Sequence, residues 1–189
     1  GIGVRDGSGD CHVIYFEGGG ACFNTLTCSA NPDAYNEGNF AGFAGGGGTQ
    51  NFFSTDAENP VGDWSFIYVP YCTGDVHAGD RPDAMLPDVL GTQQFVGYAN
   101  VALYLDRIVP TFLADTTHVL VSGQSAGGFG AAFNYDRIAD AFPEARVTLL
   151  DDSGPPMSDE FMAPCLQKQW RDAWGLDDTM PADCTDCFP

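Results

Sequence analysis

The sequence predicts an α/β fold in which a parallel sheet carries helices on both faces. Three observations predict it. Four apolar runs rich in β-branched and aromatic residues lack strict alternation, as strands covered on both faces do. The intervals after the second and third runs place apolar residues at helical spacing. The third run stops at a G-x-S-x-G, a turn of small residues between a strand and a helix.

The first run, HVIYFE at 12–17, ends in glycines, and the second, WSFIYVPY at 64–71, ends at Cys72. The third, THVLVS at 117–122, leads into GQSAGG, and the fourth, RVTLLDD at 146–152, ends at SGPP. Between the second and third, Phe95, Tyr98, Ala99, Ala102, Leu103 and Leu105 approximate a helical face. After the third, Ala131, Ala132, Tyr135, Ile138 and Ala139 continue a helix that starts near Ser125. The segment from about 25 to 60 is rich in Gly, Asn, Ser and Phe and shows no period, so it is expected to be a long loop insertion that either serves a site or is disordered. Its GGGG at 45–48 lacks a following Lys-Ser/Thr and is no phosphate cradle. From 153 to 189 the chain reads as a cap-like segment with a helix near CLQKQWRDAW. Residues 1–189 are expected to form a single domain, because the length and the 44% hydrophobic content suffice for one core.

Charge excludes several functions. Seven basic against 26 acidic side chains give a net charge of -19, with a single lysine, Lys168, and no basic cluster. Such a field repels phosphate backbones and anionic lipid, so no nucleic-acid partner is expected, and a strongly anionic substrate is disfavoured. The plain counterpart is a solvated acidic surface. No apolar run reaches membrane-spanning length. Seven cysteines in a chain of this size point to an oxidising, extracellular compartment. Cys184-x-x-Cys187 has neither a second such pair nor a nearby histidine, so no metal site is expected, and nothing in the sequence calls for a cofactor. The absence of an initiating Met and of a signal peptide makes Gly1 read as the start of a processed or trimmed chain.

The chemistry centres on Ser125 in VLVSGQSAGGFG. A serine hydroxyl needs an adjacent base, and an elbow between strand and helix exposes it where helix N–H groups face a developing oxyanion. A tight strand-to-helix turn needs only the glycines, so the motif alone leaves both readings open. EGGGACF at 17–23 follows the first run, and its glycines can present N–H groups to a carbonyl oxygen or simply pack a turn. All three histidines, His12, His77 and His118, precede Ser125, whereas the serine–acid–histidine order of α/β-hydrolases places the base after it. His12 and His118 sit at strand starts and read as surface residues. His77, with Asp75 in YCTGDVHAGD, follows the second run at the site's edge, where both are candidates to line a pocket.

Together, EGGGACFN (17–24), VPYCTGDVHAGD (69–80), SGQSAGGFGAAFNYDRI (122–138) and LLDDSGPP (149–156) resemble the pectin acetylesterase/Notum family of secreted serine carboxylesterases. The resemblance implies an α/β-hydrolase-like fold with Ser125 as nucleophile and the N–H groups of Gly19, Gly20 and Ala126 as oxyanion hole. It also implies disulfides Cys22–Cys28 and Cys11–Cys72, leaving Cys165, Cys184 and Cys187 unassigned. The family's acid and histidine lie well beyond DDSGP, and Asp151 and Asp152 match a motif that is not the triad acid. This chain is therefore expected to be an N-terminal portion, its sheet incomplete, partnered by a C-terminal fragment of the same polypeptide that carries the base. The expected substrate is an acylated carbohydrate, protein or polyester, and the charge makes a neutral ester or polyester at least as plausible as polygalacturonate. A non-catalytic binding or assembly subunit is the alternative; a third reading uses His77 as the base.

Overall fold

Four parallel strands in the computed structural model, β2 (Cys11–Phe16), β3 (Ser65–Val69), β6 (His118–Gln124) and β7 (Arg146–Asp152), correspond to the four apolar runs. The structure describes residues 1–30, 35–158 and 160–180; Cys184 and Cys187 lie outside them. A short β1 (Gly3–Arg5) joins β3 antiparallel, giving the order β1-β3-β2-β6-β7. Two short elements after β3, β4 (Arg81–Ala84) and β5 (Gln93–Phe95), make a separate hairpin.

Every position of β3 is buried, which explains why its sequence does not alternate. On one face, Ile14, Phe16, Ile67, Val69, Val119 and Val121 meet Val101 and Ile108 of α3 (Gly97–Phe112), Ala131 of α4 (Ala126–Phe133) and Ile138 of α5 (Tyr135–Ala141). On the other, Val13 and Phe66 pack under Val61 with Phe52, Phe53 and Trp64.

Part of that second cover comes from the segment at 25–60, expected to be a long loop insertion and here partly helical. The segment contains α1 (Thr25–Ala30), α2 (Glu37–Ala44) and two 3-10 turns. A capping box nucleates α2 rather than an apolar stripe: the Asn36 side chain accepts from the Gly38 and Asn39 N–H groups, and Asn39 returns a bond to Asn36 N–H. Phe43 then stacks on Tyr68 with ring centroids 3.8 Å apart. The segment after 153 contains the helix expected near CLQKQWRDAW. Its α6 (Pro164–Trp174) buries Trp174 completely in a cluster with Val76, Phe95 and Ala126.

His12 is 5% exposed, not a surface residue: its ring sits 4.8 Å from that of Phe112, and burial lowers its pKa. His118 Nε2 meets Thr148 Oγ1 at 2.9 Å. Both lie at strand starts.

The topology fixes where a site can form. Because β2, β3, β6 and β7 are parallel, the loops that follow them leave from one edge. From β2 the chain proceeds to β3 on one side; from β6 it proceeds to β7 on the other. The loops after these two neighbouring strands therefore diverge, leaving a crevice at their carboxyl ends. The outer strand β7 pairs only with β6 among the described residues, and Leu149 and Leu150 on its two faces are 41% and 49% exposed.

Candidate active site

β6 ends at Gln124, and α4 begins at Ala126. The single residue between them, Ser125, has φ 56° and ψ −121°, a conformation ordinarily reserved for glycine, and it is exposed. Several backbone bonds hold it there. Ser125 N–H donates to the Asp152 carbonyl at 2.9 Å, and its own carbonyl accepts from Gly128 and Phe129 N–H at 2.9 and 3.2 Å. The glycines around it permit direct backbone contact: a Cβ at Gly123 would strike the Gly127 carbonyl, and one at Gly127 the Phe16 carbonyl.

The Gly-rich loop lies against this elbow. A Cβ on Gly18 would collide with the Gln124 carbonyl and fall 3.4 Å from Ser125 Cβ. The N–H groups of Gly19, Gly20 and Ala126 have no acceptor among the described residues, and Gly19 and Gly20 are exposed. The fold thus brings the loop after β2 and the serine after β6 to one edge, as the sequence motifs require.

The segment after β3 braces the loop from behind. Tyr71 N–H donates to Glu17 Oε2 at 2.8 Å, and the Tyr71 hydroxyl donates to the Gly20 carbonyl at 2.8 Å while accepting from Val76 N–H at 2.9 Å. His77 Nε2 lies 2.9 Å from the Glu17 carbonyl; since a carbonyl only accepts, the proton is on Nε2. Cys22 and Cys28 form a disulfide, Cys22 N–H donates to the Gly74 carbonyl at 2.7 Å, and Trp174 Nε1–H donates to the Cys22 carbonyl at 2.8 Å.

Three expectations require correction. Cys11 and Cys72 are free thiols. Cys11 opens β2 and Cys72 lies beyond the end of the parallel β3, so they sit at opposite ends of the strand pair. The separation is roughly 17 Å along the strands, against the ~7 Å Cα limit for a bridge. Second, His77 and Asp75 are turned into the interior rather than presented at the surface: they are 3% and 0% exposed. Asp75 instead accepts from Thr73 Oγ1 at 2.6 Å, His77 N–H at 3.1 Å and Gly97 N–H at 2.8 Å, which holds the left-handed turn at Val76 and His77 and caps α3. Third, His77 cannot be the base through Nε2, which is committed to Glu17. None of the three histidines bonds to the Ser125 hydroxyl. Asp151 is also engaged, accepting from Gly154 N–H at 3.1 Å, so the DDSG motif braces the elbow.

Burial sets the charge states of the pair behind the loop. It holds His77 at about 4, against 6.5 ordinarily, and raises Asp75 from 3.8 to about 6 despite its three donors. On acidification the unfolded chain protonates its histidine first, so His77 lowers stability as pH falls from 6.5 toward 4. Asp75 acts oppositely, because the folded carboxyl takes up its proton near pH 6, before the unfolded one does near 3.8. The two offset each other over most of that window. Asp75→Asn removes the compensation, so the variant's stability should fall about 3 kcal/mol further than wild type between pH 6.5 and 4. Denaturant unfolding across that range reads the difference in slope, and parallel profiles would contradict it.

Residues 3–187 match the family model described as Pectinacetylesterase. The chain belongs to the pectinacetylesterase family. It is 30% identical over 156 residues to the palmitoleoyl-protein carboxylesterase notum2 of Xenopus laevis, covering 75% of this chain and 30% of that protein. It is 28% identical over 162 residues to pectin acetylesterase 5 of Arabidopsis thaliana, covering 82% of this chain and 37% of that protein. A solved structure of the Wnt deacylase Notum from Drosophila superposes with a TM-score of 0.73 at 21% identity, over 97% of this chain and 57% of that one. The fold is thus α/β-hydrolase-like, and the chain spans about a third of the length of these two pectinacetylesterase-family relatives.

Proposed function

We propose that this chain carries the nucleophile and oxyanion donors of a secreted serine carboxylesterase. The observation that carries the proposal is Ser125 itself: exposed, in a glycine-like backbone conformation, and facing a loop whose Gly19 and Gly20 N–H groups have no acceptor among the described residues. In this reading Ser125 Oγ attacks the ester carbonyl and the N–H groups of Gly19, Gly20 and Ala126 receive the oxyanion. The intermediate collapses to an acyl-enzyme with loss of the alcohol, and water then releases the acid. The proton leaving Ser125 passes to a histidine on polypeptide outside residues 1–189, oriented by an acid there.

The net charge of -19 favours an acetyl or acyl ester of a neutral alcohol over polygalacturonate. A mostly apolar cavity of about 90 Å³, lined by Phe129 one turn along α4 from Ser125 and by Met157, Met162 and Trp170, with Gln167 and Arg171 at its wall, suits a short acyl group. A larger cavity of about 240 Å³, between β1–β3 and α2, shares no residue with the elbow. The Cys22–Cys28 bridge supports an extracellular setting. The test is turnover of a neutral p-nitrophenyl ester against acetylated polygalacturonate across ionic strengths. The neutral ester should turn over independently of salt and the polyanion only when screened; preference for the polyanion at low salt would overturn the substrate assignment.

A further inference from the structure

The oxyanion donors proposed above sit on a run of three glycines, the residue with the most backbone freedom to lose. Stabilising an oxyanion requires those N–H groups to be aimed before the reaction begins. Something other than the loop's own sequence must therefore set its course.

Tyr71 touches the loop at three successive points. Its N–H donates to the Glu17 carboxylate at 2.8 Å. Its ring lies beneath Gly19, where a Cβ would come within 2.8 Å of Cδ1. Its hydroxyl holds the Gly20 carbonyl at 2.8 Å. His77 grips the other end through the Glu17 carbonyl at 2.9 Å, its ring packed 4.7 Å from that of Tyr71 and 5.1 Å from that of Phe16. Each peptide unit is planar, so fixing the Glu17 and Gly20 carbonyls fixes the planes that flank the segment. The two planes left between them bear the Gly19 and Gly20 N–H groups. With both ends and the middle held from the Tyr71 side, those donors find no acceptor among the described residues.

We propose that Tyr71 and His77 are positioning residues that template the oxyanion loop, a reading that rests on the esterase assignment above. Neither touches substrate; both act through the carbonyls of Glu17 and Gly20. Their loss should lower turnover and affinity for tetrahedral analogues while leaving ground-state binding in place.

The test uses the native-length enzyme. Tyr71→Phe keeps the ring and the backbone N–H and removes only the hydroxyl. It should lower kcat roughly 10-fold, leave KM within about twofold, and weaken a boronic acid inhibitor in proportion to kcat/KM. For His77, which has a left-handed φ of 60°, Gln and Met carry a similar backbone cost and differ in the N–H donor. His77→Gln should retain most of the turnover that His77→Met loses. Wild-type turnover with Tyr71→Phe unchanged in kcat and boronate affinity, or with Gln and Met equally impaired at position 77, overturns the template role alone. A wild type without Ser125-dependent turnover overturns both it and the esterase assignment.

Discussion

Replacing Ser125 with alanine is expected to lower ester hydrolysis by about 10⁴-fold or more while preserving the fold, because only the attacking oxygen is lost. Replacing it with glycine should abolish activity equally and raise stability by about 1 kcal/mol, since φ 56° and ψ −121° strain every residue except glycine. The pair of variants separates chemistry from architecture. A turn that served only to join β6 to α4 would gain nothing by keeping a strained serine there, and glycine would be the cheaper choice. Steady-state kinetics and thermal unfolding of both variants read the two effects, and activity surviving in either would remove Ser125 from the mechanism.

The second large effect concerns the base. The three histidines are placed elsewhere: His12 and His118 at the far ends of the strands, His77 behind the loop on the Glu17 carbonyl. The outer strand β7 exposes Leu149 and Leu150 along an edge that no described strand covers. An open apolar edge of this kind promotes association. Both features have one explanation if further polypeptide pairs with β7 and brings a histidine to the carboxyl edge beside Ser125. On that proposal, residues 1–189 expressed alone self-associate and lack esterase activity, and a polypeptide extended by such a segment is monodisperse and active. Light scattering and ester turnover on the two forms check this. A monomeric, active 1–189 fragment would contradict it.

The long apolar strands were legible because burial on both faces leaves an uninterrupted hydrophobic run, as at Ser65–Val69. The elbow and the Gly-rich loop were legible because backbone-to-backbone contact at Gly18, Gly123 and Gly127 admits no side chain. What escaped was held by partners distant in sequence or by local caps. The strand Gly3–Arg5 is too short and mixed to show a period, and α2 depends on Asn36 rather than on an amphipathic stripe. His77 and Asp75 lie at the correct edge of the sheet but turn inward, because Asp75 satisfies three donors there that the interior would otherwise leave unpaired. Tyr71 lies within VPYCTGDVHAGD, but nothing in that stretch signals a role for its ring or hydroxyl, which depends on contacts with Glu17 and Gly20 far away in sequence. The pairing of Cys11 with Cys72 came from family resemblance, and the parallel register of β2 and β3 forbids it.

Ser125, as a nucleophile beside preset oxyanion donors, should react with a fluorophosphonate added to the full-length enzyme, and peptide mass spectrometry locates the adduct. One equivalent of label on the peptide containing Ser125, with hydrolysis lost in step, is the predicted result. Full activity with Ser125 unmodified, or label confined to another serine, would contradict the account.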